Sequence, residues 1–149
     1  MGMETRTLGW QVGEDPLPHG VTRLLAGRAF RRGDIPAVRR FTEAFGSRTG
    51  IGPARLADFV LAVSEAASTV TAAGPGTARV RLWVTGRRAF CEVRGDGPLL
   101  CRTAGGAWPA GRPGEEEALR RWLLRRVSDH VSVASGPDGT RVLLSLRVA

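Results

Sequence analysis

Apolar residues recur at helical spacing in two consecutive segments of the chain. The first predicts a helix over 34–46, because its apolar residues lie three and four positions apart: Val38, Phe41 and Phe45. Gly46 and Gly50 are expected to end it. The second begins at the Gly-Pro pair 52–53 and stops at the Gly-Pro-Gly run 74–76, which are typical helix boundaries. Its apolar stripe is predicted to face the core and comprises Leu56, Phe59, Val60, Val63, Ala67 and Val70.

Alternating apolar and polar residues predict strands on both sides of these helices. A first strand is predicted over 21–30, and the segments 78–84 and 89–94 predict a hairpin across a Gly-Arg-Arg turn. A last hairpin is predicted from 131–134 and 142–148. Because strands and helices are segregated along the chain, we expect an α+β fold: a two-layer sandwich of one mostly antiparallel sheet and about three helices.

Two segments lack this periodicity. Residues 1–20 carry Gly, Pro and acidic residues and are interpreted as a loosely ordered leader, which leaves 21–149 as a single domain. The segment 95–114 holds six Gly and three Pro, and loops of this length usually act as lids or are disordered. The acidic run 115–117 then predicts the start of a third helix, since the helix dipole favours negative charge there.

Composition narrows the chemistry that the chain can perform. All 22 basic residues are Arg, the formal charge is +8, and there is neither Lys nor Asn. Without Lys, Schiff-base chemistry and kinases that depend on a catalytic lysine are excluded. Two Cys and two His offer no metal-ligand spacing, and no apolar stretch reaches the length of a membrane span. With no apolar signal segment at the N-terminus, we expect a cytoplasmic protein without a membrane partner.

The positive charge is compatible with nucleic acid or with an acidic protein as partner. The Arg residues are spread along the whole chain, and the four Trp and five Phe do not interleave with them as a stacking platform requires. This scatter argues against a nucleic-acid-binding protein, which we keep as an alternative.

Four segments occur in an order that resembles the GHKL ATPase superfamily, the Bergerat ATP-binding fold shared by gyrase and the histidine kinases. They are Val-Ser-Glu-Ala at 63–66, Gly-Asp-Gly-Pro at 95–98, Trp-Leu-Leu-Arg at 122–125 and Gly-Pro-Asp-Gly-Thr at 136–140. More narrowly, the chain resembles the actinobacterial anti-sigma-factor serine kinases of the partner-switching type, whose second helix reads about LAVSEAVTNAVRHG. The resemblance extends over residues 21–149.

The resemblance implies ATP and Mg²⁺ as cofactors and assigns roles to individual residues. Glu65 stands in the place of the family's general base. Thr69 lies one helical turn later on the same face, so the pair corresponds to the family's Mg²⁺ site. The implied ATP-binding positions are Thr69, Gly95, Asp96, Gly97, Gly139 and Thr140.

Three of the four nucleotide-contacting elements depart from the family pattern. Position 69 is Thr, where the family holds Mg²⁺ through an Asn amide. The family's adenine-contacting Asp falls at Gly95; Asp96 lies one residue further, which on a strand is the opposite face. Either a bulge lets Asp96 restore the contact, or adenine recognition is lost. The glycines that admit phosphates to the third helix fall at Ala118 and Arg120.

From these departures we expect an anti-sigma-factor-like regulator, a pseudokinase with a weakened or lost ATP site. It would bind a sigma factor, or an anti-anti-sigma protein of the STAS class, with helix 34–46 and the surrounding Arg residues as candidate contacts. The resemblance also implies a homodimer. An active ATP-dependent serine/threonine kinase is the first alternative, and a basic nucleic-acid-binding protein is the second.

Overall fold

The computed structural model describes residues 3–6, 22–72, 76–95, 126–136 and 139–148 of the chain. Within these ranges lie six strands, two complete α-helices and one short 3-10 turn. In chain order they are β1 (Met3–Arg6), β2 (Thr22–Arg31), the 3-10 turn (Arg32–Asp34), α1 (Ile35–Thr49), α2 (Pro53–Ala72), β3 (Thr77–Thr85), β4 (Arg88–Gly95), β5 (His130–Gly136) and β6 (Gly139–Arg147).

The six strands form a single sheet in the order β1-β5-β6-β4-β3-β2. All neighbouring strands are antiparallel except β1 and β5, which pair in parallel. Both predicted hairpins are confirmed, as β3–β4 and β5–β6, and the predicted first strand is confirmed as β2. The predicted α+β fold with a mostly antiparallel sheet is therefore confirmed.

The N-terminal strand was not predicted. Residues 3–6 pair with β5 from Met3 opposite Val131 to Arg6 opposite Ala134, so the interpretation of a loosely ordered leader is wrong for these four residues. A strand of four residues is too short for alternation to be recognised. The division into a leader and one domain stays a prediction. The lid segment and most of the third helix lie outside the described residues; the end of that helix, 126–127, is helical.

Both predicted consecutive helices are confirmed, although α1 runs three residues past its predicted end at Gly46. It ends at Gly50, whose φ of 76° is left-handed and whose N–H donates to the Gly46 carbonyl. Gly46 is buried inside the helix because α1 and α2 cross closely there. A Cβ built at Gly46 would lie 2.2 Å from the Leu56 Cδ1 of α2. None of the helices in the described ranges has the length and apolar character needed to cross a membrane.

The helices pack on one face of the sheet and share its core. Phe45 of α1 and Phe59 of α2 are fully buried, with ring centroids 6.4 Å apart. Alternate residues of the central strands complete this core: Val80, Leu82, Val84, Ala89, Cys91, Val93, Val142, Leu144 and Leu146. The helix-facing side of β4 therefore carries Cys91 and Val93, and the residues between them point to the other face.

The opposite face carries a buried charged cluster across β3, β4 and β6. Glu92 is 1% exposed, and its carboxylate accepts a hydrogen bond of 2.9 Å from Arg81 Nε. Arg141 Nε lies 2.5 Å from the second carboxylate oxygen. Burial lowers the pKa of the Arg141 guanidinium, and the Glu92 charge opposes that shift. The Glu92 carboxylate therefore pairs with two guanidiniums, one from each of the two strands beside β4.

We expect Glu92→Gln to lower the free energy of unfolding by on the order of 3 kcal/mol, because it removes the carboxylate that both buried guanidiniums contact. Urea unfolding followed by circular dichroism measures this. Glu43→Gln, at an exposed position of α1, is the matched control and should change stability little. Equal losses in the two variants would contradict a stabilising role for the cluster.

We expect Gly46→Ala to lower the free energy of unfolding by about 1–3 kcal/mol, because the new methyl group overlaps Leu56 across the helix crossing. The control is Gly33→Ala, where a Cβ meets nothing within 4 Å. If the crossing is as close as described, only the first variant shifts the urea midpoint downward. A midpoint for Gly46→Ala at or above that of the control would show that the crossing accepts a side chain.

Candidate functional site

The implied ATP-binding residues within the described ranges come from three neighbouring elements. Glu65 and Thr69 lie on α2, Gly95 ends β4, and Gly139 and Thr140 begin β6. The sheet register places Gly95 directly opposite Thr140. Helix α2 packs against both β4 and β6, so the fold brings these elements together. Four further positions of the family pattern lie outside the described residues: Asp96, Gly97, Ala118 and Arg120.

Glu65 and Thr69 occupy successive turns of α2 and are both half-buried. The Thr69 hydroxyl donates a hydrogen bond of 2.9 Å to the Glu65 carbonyl oxygen. Its proton is therefore used within the helix, and the oxygen is held close to the helix backbone. A hydroxyl in this position has a shorter reach than the amide that the family uses. The base role of Glu65 and the metal role of the pair stay predictions.

Gly95 lies on the helix-facing side of the sheet, at the position that the resemblance assigns to an adenine-contacting Asp. A Cβ built at Gly95 would lie 2.5 Å from Val70 Cγ1 of α2. The direction of this Cβ agrees with the alternation in β4, since Cys91 and Val93 face the same core. Position 95 thus supplies no carboxylate, and the space beside it is filled by an apolar side chain.

Gly139 and Thr140 have a structural explanation that needs no ligand. Gly139 has a φ of 140°, a conformation that side chains rarely adopt, and pairs with Gly136 across the last hairpin. Thr140 is 3% exposed at the start of β6. This pair therefore serves the hairpin, and its role toward phosphate stays a prediction.

Two described positions differ from the residues that the resemblance implies for an adenine nucleotide with Mg²⁺. Position 69 offers a hydroxyl that donates to its own helix, and position 95 offers a glycine against Val70. Across the part of the chain that the structure describes, no group of three or more His, Cys, Asp or Glu is placed to hold a metal ion. The weakening or loss of the ATP site stays a prediction.

Cys91 is the free cysteine of the described residues, and it is not a nucleophile. The side chain is fully buried in the core between the helices and the sheet. Burial raises the pKa of the Cys91 thiol well above its usual value, and the adjacent Glu92 charge raises it further. The thiol is therefore protonated at neutral pH and inaccessible to substrates.

A groove of about 710 Å³ lies between α1 and α2 on the outer side of the helix layer. Its walls combine apolar residues of α2 with polar residues of α1: Leu56, Val60, Leu61, Arg39, Glu43 and Ser47. Val60 was predicted to face the core, but it is half-buried and lines this groove. Leu61 lies outside the predicted stripe of α2. An apolar residue off the stripe is the sequence signal that could have indicated a second apolar face.

Comparison with known proteins agrees with the fold. Residues 29–146, well over half of the chain, match the family described as the histidine kinase-like ATPase domain. This range begins in β2 and reaches into β6, so it includes both helices and the strands that carry Gly95 and Thr140. No curated protein matches the chain. The chain therefore belongs to the histidine kinase-like ATPase domain family.

Proposed function

We propose that this domain is a protein-binding regulator of the anti-sigma-factor type, with a weakened or lost ATP site. One observation carries the proposal. The Thr69 hydroxyl stands where the family holds Mg²⁺ with an amide, and it is bonded to the Glu65 carbonyl of its own helix. No Asn occurs anywhere in the chain to replace that amide. A fold kept without its metal-binding group is better suited to binding proteins than to transferring phosphate.

The α1–α2 groove is the surface that we assign to the partner. Its apolar floor is bordered by α1, which exposes Arg39, Arg40 and Arg48 but only Glu43 as a counter-charge. An apolar helix with acidic flanks fits such a surface by both hydrophobicity and charge. A sigma factor or a STAS-class anti-anti-sigma protein would present this helix.

An active serine/threonine kinase is the second candidate, and the observation that favours it is the presence of Glu65. This carboxylate lies half-buried on α2, at the position that the resemblance assigns to the general base. The nucleic-acid alternative is disfavoured because the Arg residues are spread along the whole chain and do not alternate with aromatic residues, as a stacking platform for bases would require.

A phosphotransfer assay distinguishes the proposed regulator from an active kinase. The purified chain is incubated with Mg²⁺, γ-labelled ATP and each purified STAS-domain protein encoded in the same genome. We expect no label above that obtained with Glu65→Ala, because the metal-binding amide is missing. Transfer that depends on Glu65 would establish the kinase and overturn the loss of the ATP site.

The partner surface is tested by binding in the absence of nucleotide. We expect the chain to form a complex with a sigma factor or a STAS-domain protein from the same genome. The double reversal Arg39→Glu/Arg40→Glu should weaken that complex about tenfold or more, mainly through slower association.

Arg28→Glu/Arg79→Glu is the matched control, since both are exposed arginines, on β2 and β3, that do not line the groove. Surface plasmon resonance at several salt concentrations measures both rates. An equal effect of the two reversals would remove the groove from the proposal, and no complex with any member of either class would overturn the regulatory function.

A further inference from the structure

Helix α2 lies close against the sheet where Val70 meets Gly95. Val70 is 1% exposed, and a Cβ built at Gly95 would lie 2.5 Å from its Cγ1. The same Cβ would lie 3.5 Å from the Val70 carbonyl oxygen and 3.6 Å from that of Thr77. Non-bonded carbon atoms pack at about 3.5–4.0 Å, so no side chain can be added at position 95 unless Val70 moves.

The Val70 side chain has little freedom to move. Valine is branched at Cβ and keeps one preferred rotamer in a helix. The C-terminal end of α2 is also held, because Arg32 Nε donates a hydrogen bond of 2.9 Å to the carbonyl of the next residue, Thr71. The Arg32 N–H in turn donates to the Gly76 carbonyl at 2.8 Å, which ties this helix end to the 3-10 turn.

Gly95 is fixed from the side of the sheet as well. It pairs with Ala78 of β3 on one side and with Thr140 of β6 on the other. A strand held on both sides cannot shift away from the helix without breaking pairing in two ladders. Neither Val70 nor Gly95 can therefore move away from the other on its own.

We propose that Val70 and Gly95 together close the space between α2 and β4 in which domains of this family would receive adenine, so that the chain excludes adenine nucleotides sterically. This inference deepens the proposed function and rests on its loss of the ATP site, with position 95 at the place that the resemblance assigns to the adenine-contacting Asp. An adenine amine needs a hydrogen-bond acceptor, and the Val70 methyl groups offer none. The related kinases carry alanine in the helix pattern at the place of Val70, which would leave room there.

A double-mutant cycle tests the contact itself. Gly95→Ala should lower the urea midpoint, whereas the same substitution in a Val70→Ala background should lower it much less, because the overlapping methyl group is gone. Gly33→Ala, made in open space, is the control for the change of residue type. Additive effects of the two substitutions would overturn the closure.

Nucleotide exclusion is tested with ribose-labelled fluorescent ADP in the presence of a chelator, so that Thr69 and Mg²⁺ play no part. The wild-type chain should show no binding up to about 1 mM. Folded Val70→Ala/Gly95→Asp, which opens the space and adds a carboxylate, should bind at least about tenfold more tightly. Binding by the wild type, or no gain in the folded variant, would overturn the inference.

The two proposals fail separately. If the wild-type chain binds ADP and also forms a complex with a sigma factor or a STAS-domain protein, the proposed steric closure is wrong and the proposed regulatory function stands. If the chain excludes ADP but forms no such complex, the proposed regulatory function is wrong and the proposed closure stands. If Val70→Ala/Gly95→Asp does not fold, the double-mutant cycle and the wild-type titration still decide.

Discussion

Two glycines to which no side chain can be added set the spacing within the helix layer and between that layer and the sheet. At Gly46, α1 comes close enough to α2 for Leu56 to fill the space of a Cβ, and at Gly95, α2 does the same against β4 through Val70. Protein interiors are packed at nearly crystalline density, so such contacts fix the position of whole elements. The buried rings of Phe45 and Phe59, and the core strands beneath them, follow from this spacing.

The all-arginine composition has a structural use on the other face of the sheet. The Arg81 guanidinium both contacts the Glu92 carboxylate and lies 5.6 Å from the centre of the Trp83 ring. A planar guanidinium can do both, whereas an ammonium group is a compact and strongly hydrated charge. Trp83 stacks in turn on Phe90 of the neighbouring strand, with ring centroids 5.4 Å apart. Arg81 therefore belongs to the buried structure of the sheet and not to its charged surface.

Periodicity predicted the fold well because it reports which side of an element is buried. The stripes of α1 and α2, and the alternation in β3, β4 and β6, agree with the observed core. The strand at residues 3–6 was not predicted, because β1 forms through pairing with β5, a partner about 130 residues away, and not through a local pattern. Gly46 was expected to end α1 together with Gly50, but only Gly50 does so, because Gly46 serves the contact with Leu56, which the linear sequence does not display.

The candidate site was predictable only in part. Helical spacing placed Glu65 and Thr69 on one face, and composition excluded an asparagine at position 69. The groove and the Val70–Gly95 contact could not be predicted, because each depends on the distance between elements that are separate in the chain. Val60 illustrates the limit, since the same spacing that suits a core position also suits the wall of a groove between two helices.

The Val70–Gly95 contact also bears on how such a chain can change over time. A side chain at position 95 meets Val70, and a smaller residue at position 70 leaves a cavity, so either change alone has a cost in stability. Both changes together are compatible with each other. Exchanging both residues one at a time therefore passes through a less stable single variant, whichever position changes first.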